Sequence, residues 1–134
     1  MKKLAICCTL LLTGLLGVIG CRPDGGVVPA EAPAVSSDEF NAAIQSGDLA
    51  LVKFGATWCG PCVAVDRELA TLESQWGDSV QLVKVDVDAN PGLARQFQVS
   101  SIPRMFLLRD GEILDDQLGY RDASELNQWV DAHR

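Results

Sequence analysis

The sequence predicts an α/β fold in which a central mixed β-sheet is flanked by helices on both faces, three layers in one domain. Three observations carry this expectation. Segments with apolar residues at steps of three and four alternate with short runs rich in Leu, Val and Phe. Read along the chain, those segments order as α-β-α-β-α-β-β-α. Finally, 134 residues leave room for a single core once the N-terminus is set aside.

Residues 1–20, MKKLAICCTLLLTGLLGVIG, begin with Lys2 and Lys3 and run without charge from Leu4 to Ile19. This is the pattern of an export signal, shorter than the roughly 20 apolar residues that cross a bilayer core. Val18-Ile19-Gly20-Cys21 resembles the lipobox of bacterial lipoproteins. The resemblance implies cleavage before Cys21 and a diacylglyceryl group on its sulfur, with several acyl chains giving a stable anchor where one would be marginal. Residues 21–34 are then the lipidated cysteine and a Pro/Gly/Ala-rich tether, RPDGGVVPAEAPA, with no apolar period. Fully extended, it reaches at most about 40 Å at roughly 3.1 Å per residue. Arg22 is not the aspartate that retains some lipoproteins at an inner membrane, which weighs towards the outer one.

The folded domain is expected over 35–134. Ser36-Ser37-Asp38-Glu39 has the form of a capping box, and Phe40, Ala43 and Ile44 supply the apolar face of a helix ending at Ser46-Gly47-Asp48. Leu49 to Gly55 is too uniformly apolar for a one-sided strand and reads as a central one. Cys62, Val65, Leu69, Leu72 and Trp76 line one face of the next helix, which Gly77 can end. Val80 to Val87 is a second strand, and Asn90-Pro91-Gly92 opens a short helix through Phe97. Arg104 to Arg109 and Glu112 to Leu118 flank Asp110-Gly111, a strong hairpin signal. A second capping box, Asp122-Ala123-Ser124-Glu125, starts a last helix with Leu126, Trp129 and Val130 buried.

Of the five cysteines, Cys7 and Cys8 fall in the cleaved segment and Cys21 carries lipid, leaving Cys59 and Cys62 in the domain. With His133 they make at most three zinc ligands where a structural site wants four, so no metal is expected, and His133 reads as a solvated helix-end residue. After cleavage nine basic residues face eighteen acidic ones, a net charge of −9 that argues against a nucleic-acid partner.

The stretch LVKFGATWCGPC places the pair at a strand-to-helix junction. There the helix N-terminus favours a thiolate on Cys59, while Cys62 returns to the same face, more buried. TWCGPC resembles the thioredoxin active site, and VDVDANPG, SSIP, DG and Gly119 follow in the order and spacing thioredoxins use, a similarity covering about 100 residues from Val35 onward. The resemblance implies a thioredoxin-like three-layer sandwich with Cys59 as nucleophile and Cys62 as resolving thiol, the two forming the redox-active disulfide. It also makes Trp58 an aromatic shield, Gly60-Pro61 a reductant-leaning dipeptide, and Pro103 a cis-proline beside the sulfurs. The chemistry is thiol–disulfide exchange through a mixed disulfide and needs no cofactor.

Three positions depart from the family. Lys53 stands where thioredoxins bury an aspartate, Arg67 where they usually kink the helix with proline, and Arg104 where a threonine usually follows the cis-proline. Strand alternation puts Leu51, Lys53 and Gly55 on one face, with Lys84, by family alignment, beside it. Two facing lysines in a low dielectric repel. Asp66, four residues after Cys62 on the same side of its helix, is the candidate partner for Lys53; the alternative is Lys53 reaching to water with Asp66 solvated. A protonated Lys53 near the sulfurs would stabilise thiolates, which only the reduced form has, and so raise the reduction potential.

The sequence therefore predicts a lipid-anchored monomeric thiol–disulfide oxidoreductase in the bacterial cell envelope, its domain facing the periplasm or exterior. It would reduce disulfide-containing protein clients and be re-reduced by a membrane electron donor. The alternatives are an oxidase or isomerase, and a non-catalytic binding module with Arg104 and Trp58 shaping a peptide groove.

Overall fold

The computed structural model describes residues 35–134. The expected signal sequence, lipobox cysteine Cys21 and tether lie outside the described residues. The elements follow the expected order: α1 (Ser37–Ile44), β1 (Leu49–Gly55), α2 (Gly60–Trp76), β2 (Val80–Asp86), α3 (Pro91–Gln96), β3 (Arg104–Arg109), β4 (Glu112–Leu118) and α4 (Ala123–Asp131), with a 3-10 turn at Gly77–Ser79.

The sheet order is β2-β1-β3-β4, with β1 parallel to β2 and antiparallel to β3, and β3 antiparallel to β4. β1 is flanked on both sides and every one of its residues is buried, which is why its sequence shows no polar alternation. Its odd and even positions feed different cores. Leu49 and Leu51 join Met105 and Leu107 against Val65, Leu69 and Leu72 of α2 and Leu126 and Val130 of α4. Ala50, Val52 and Phe54 join Phe106 and Leu108 against Phe40 and Ile44 of α1, with Phe97 packed alongside. The sheet is thus covered on both faces, and Lys53 belongs to the α2 side.

Both capping boxes form: Ser36 with Glu39 and Asp122 with Glu125 each exchange side-chain and backbone hydrogen bonds. The Ser36 hydroxyl and amide hold the Glu39 carboxyl below its usual range. α1 ends at Ile44, before the expected Ser46-Gly47-Asp48, and Gly47 at φ +83° turns the chain into β1. At the hairpin Asp110 and Gly111 both take positive φ, as a tight turn compatible with strand twist requires. Glu68 ties α2 to the start of α4, one carboxylate oxygen accepting from the Tyr120 hydroxyl at 3.0 Å and the other from the Ala123 amide at 3.1 Å. His133 is not the solvated residue expected: it is half-buried, its Nδ1 2.8 Å from the Trp129 carbonyl, because the last turn folds back onto β4. Among the described residues no helix is long and apolar enough to cross a membrane.

Candidate active site

β1 runs directly into the site. After Gly55 the chain makes a turn closed by the Cys59 amide on the Ala56 carbonyl at 3.2 Å, and α2 starts at Gly60 with Pro61 in its first turn. Cys59 and Cys62 are joined as a disulfide with a Cα–Cα distance of 5.2 Å. Cys59 is the N-cap of α2, and its sulfur accepts a hydrogen bond from the Cys62 amide at 3.3 Å. The helix thus aims an otherwise unpaired N–H at Cys59, an arrangement that favours the thiolate once the disulfide opens. Cys62 is wholly buried and Cys59 nearly so, packed with Ala56 and against Val87 and Ile102.

Around the sulfurs, Trp58 is 70% exposed, and its indole N–H donates to Asp88 at 2.7 Å. The Ile102–Pro103 peptide is cis, and the Pro103 carbonyl accepts from the Gly119 amide at 2.9 Å. Trp58, Val87, Val99, Ser100, Ser101 and Ile102 border a shallow groove beside the disulfide. The sequence alone assigns Asp88 no role. It lies inside VDVDANPG, but nothing in that motif shows that its carboxylate reaches an indole thirty residues earlier.

Lys53 is 4% exposed and its Nζ lies 2.8 Å from Asp66 Oδ2, so the ammonium does not reach to water. Its side chain passes over Gly55: a Cβ there would meet Lys53 Nζ at 2.5 Å and Cys62 Cβ at 3.1 Å. The ammonium is therefore no farther from Cys62 Cβ than the sum of those distances. Gly55→Ala is expected to push Lys53 off Asp66 and destabilise the domain by about 1–3 kcal/mol, as overpacking of a filled site does. An unchanged urea midpoint would show that the lysine moves aside freely.

Lys84 is the cross-strand neighbour of Lys53 in register, but its side chain is exposed, so the two charges do not share a dry environment. Because Asp66 neutralises the buried one, a rise in potential caused by Lys53 should be smaller than a lone ammonium would give. Lys53, Gly55, Asp66 and Lys84 border a cleft of about 240 Å³. Arg67 is exposed on a helix that continues unbroken from Gly60 to Trp76. Arg104 does not reach the groove as the binding-module alternative supposed. It pairs with Asp116 on β4 and stacks over Phe106 at 5.5 Å, on the far face of the sheet from α2.

This geometry has known counterparts. Residues 31–132 match the thioredoxin family. The chain belongs to the thioredoxin family. It is 38% identical to the thioredoxin of Staphylococcus haemolyticus over 99 residues, covering 74% of this chain and 94% of that protein. With the thioredoxin of Bacillus subtilis it shares 35% over 98 residues, 73% of this chain and 94% of the relative. Among solved structures it is similar to oxidised mitochondrial thioredoxin 3 from Saccharomyces cerevisiae, at 30% identity and TM-score 0.64, covering 71% of this chain and 88% of that one. Chloroplastic thioredoxin z gives 28% identity and TM-score 0.66, with coverage of 76% and 93%. Family membership together with the Cys59–Cys62 pair makes this thioredoxin-family protein a thiol–disulfide oxidoreductase.

Proposed function

We propose that the protein is a membrane-anchored, extracytoplasmic reductase of protein disulfides. Cys59 thiolate attacks a client disulfide, a mixed disulfide forms, and Cys62 attacks Cys59 to release the reduced client. The observation that supports this most directly is the inequality of the two sulfurs. Cys59 caps α2 beside the groove at Trp58, whereas Cys62 is sealed beneath it, so one can meet a client and the other can only resolve. Gly60-Pro61 supports the reducing direction, and the signal sequence with Cys21 supports export and lipid anchoring. An exported reductase consumes its dithiol with each client, and a membrane electron donor restores it. Asp88 holds the Trp58 ring in place at the edge of the groove.

The test is a trap. Cys62→Ala expressed with its own leader should accumulate mixed disulfides with envelope proteins, resolved by non-reducing electrophoresis and identified by mass spectrometry. A trap that stays empty in the envelope, or one that fills only with cytoplasmic proteins, would overturn the assignment.

A further inference from the structure

Resolution of the mixed disulfide requires Cys62, a wholly buried thiol, to lose its proton. Lys53, Gly55, Thr57, Asp66 and Lys84 border a cleft, and its Gly55 wall adjoins Cys62, whose Cβ lies 3.1 Å from where a Cβ on Gly55 would stand. Asp66 stands one helical turn beyond Cys62, on the same side of α2, and helical side chains lean back towards the preceding turn. One of its carboxylate oxygens, Oδ2, is held by Lys53 at 2.8 Å. The other, Oδ1, is buried and has no hydrogen-bond partner among the described residues. A buried carboxylate oxygen left unpaired costs free energy unless a donor visits it.

Resting on the function proposed above, we infer that Asp66 Oδ1 is the acceptor for the Cys62 proton, positioned by Lys53. The proton leaves Cys62 Sγ and is taken up at Oδ1, directly or through water in the cleft. The Cys62 thiolate attacks Cys59 Sγ, a Cys59–Cys62 bond forms, and the bond from Cys59 to the client sulfur breaks. The client sulfur departs as a thiolate and is reduced, while the two cysteines are oxidised to the disulfide. The proton on Asp66 then passes out along the cleft, whose border includes the exposed side chains of Thr57 and Lys84. Lys53 has two tasks. Its ammonium orients the carboxylate so that Oδ1 stays free, and it holds that carboxylate in place through the cycle. The proton acceptor thus sits on α2, and the strand residue Lys53 acts through it.

The test is stopped-flow mixing of the reduced protein with dithiobis(nitrobenzoate), following release of thionitrobenzoate. A first phase reports attack by Cys59; a second reports resolution by Cys62. In Asp66→Asn, which keeps the shape and can still accept from Lys53, the first phase should be unchanged. The second should slow on the order of 100-fold at neutral pH, as loss of a general base does, and recover as pH rises and Cys62 ionises unaided. If Asp66→Asn does not fold, Lys53→Met/Asp66→Asn removes the unpaired buried charge and must show the same slowing. A second phase with the pH profile of the parent, in either folded variant, overturns the role of Asp66. Absence of the first phase in the parent itself would instead sink the dithiol reading on which the proposal rests.

Discussion

Cys59→Ala is expected to lower the rate of protein-disulfide reduction to that of dithiothreitol alone, with the fold and stability nearly unchanged. Cys59 carries the one sulfur that combines a helix-capping position, an amide donor at 3.3 Å and a place beside the groove. Cys62 cannot substitute for it, because its sulfur lies sealed under the first turn of α2. The loss is therefore complete rather than partial: no second thiolate in the domain is placed to meet a client. Turbidity of a reduced model protein, followed with dithiothreitol as electron source, measures the rate. Retained activity in Cys59→Ala would remove Cys59 from its role as nucleophile.

Asp66→Leu is expected to cost about 3–5 kcal/mol of stability, the penalty of stranding a buried charge whose partner has been removed. Lys53→Leu should cost far less. Its neighbours are the apolar α2-side core, and the carboxylate it leaves behind is partly exposed and can hydrate. The double variant Lys53→Leu/Asp66→Leu should come back close to the parent, since replacing a buried pair by well-packed apolar groups is often neutral or stabilising. The single losses would then fail to add, by about 2 kcal/mol or more, beyond the few tenths seen for independent sites. Urea denaturation of the four proteins completes the cycle. Additive losses would mean that the 2.8 Å contact between Lys53 and Asp66 contributes no coupling.

Much of this molecule is decided by short-range physics and is legible in the chain itself. The two capping boxes are hydrogen bonds between residues three apart, so Ser36 with Glu39 and Asp122 with Glu125 can be read directly. The β3–β4 hairpin follows from the positive φ that Asp110-Gly111 tolerates. The apolar run of β1, broken only by Lys53, already specifies a strand buried on both faces, and with the helical periods around it the layers follow. Cys59-Gly60-Pro61-Cys62 needs only the 3.6-residue period to bring both sulfurs to one side of a helix start.

Contacts that join distant parts of the chain are different. Trp58 and Asp88 are thirty residues apart, and Glu68 and Tyr120 fifty-two. No periodicity encodes such pairs, because they depend on how elements pack rather than on what each element is. Lys53 shows the division most plainly. The alternation of β1 assigns its side, but whether its ammonium turned to water or to Asp66 was open in the sequence. The tertiary structure decided it by packing α2 over Gly55, where the lysine passes through the space a side chain would fill and meets a carboxylate on the covering helix. A charge on a sealed strand cannot choose solvent, and only packing determines which counter-charge lies within its reach.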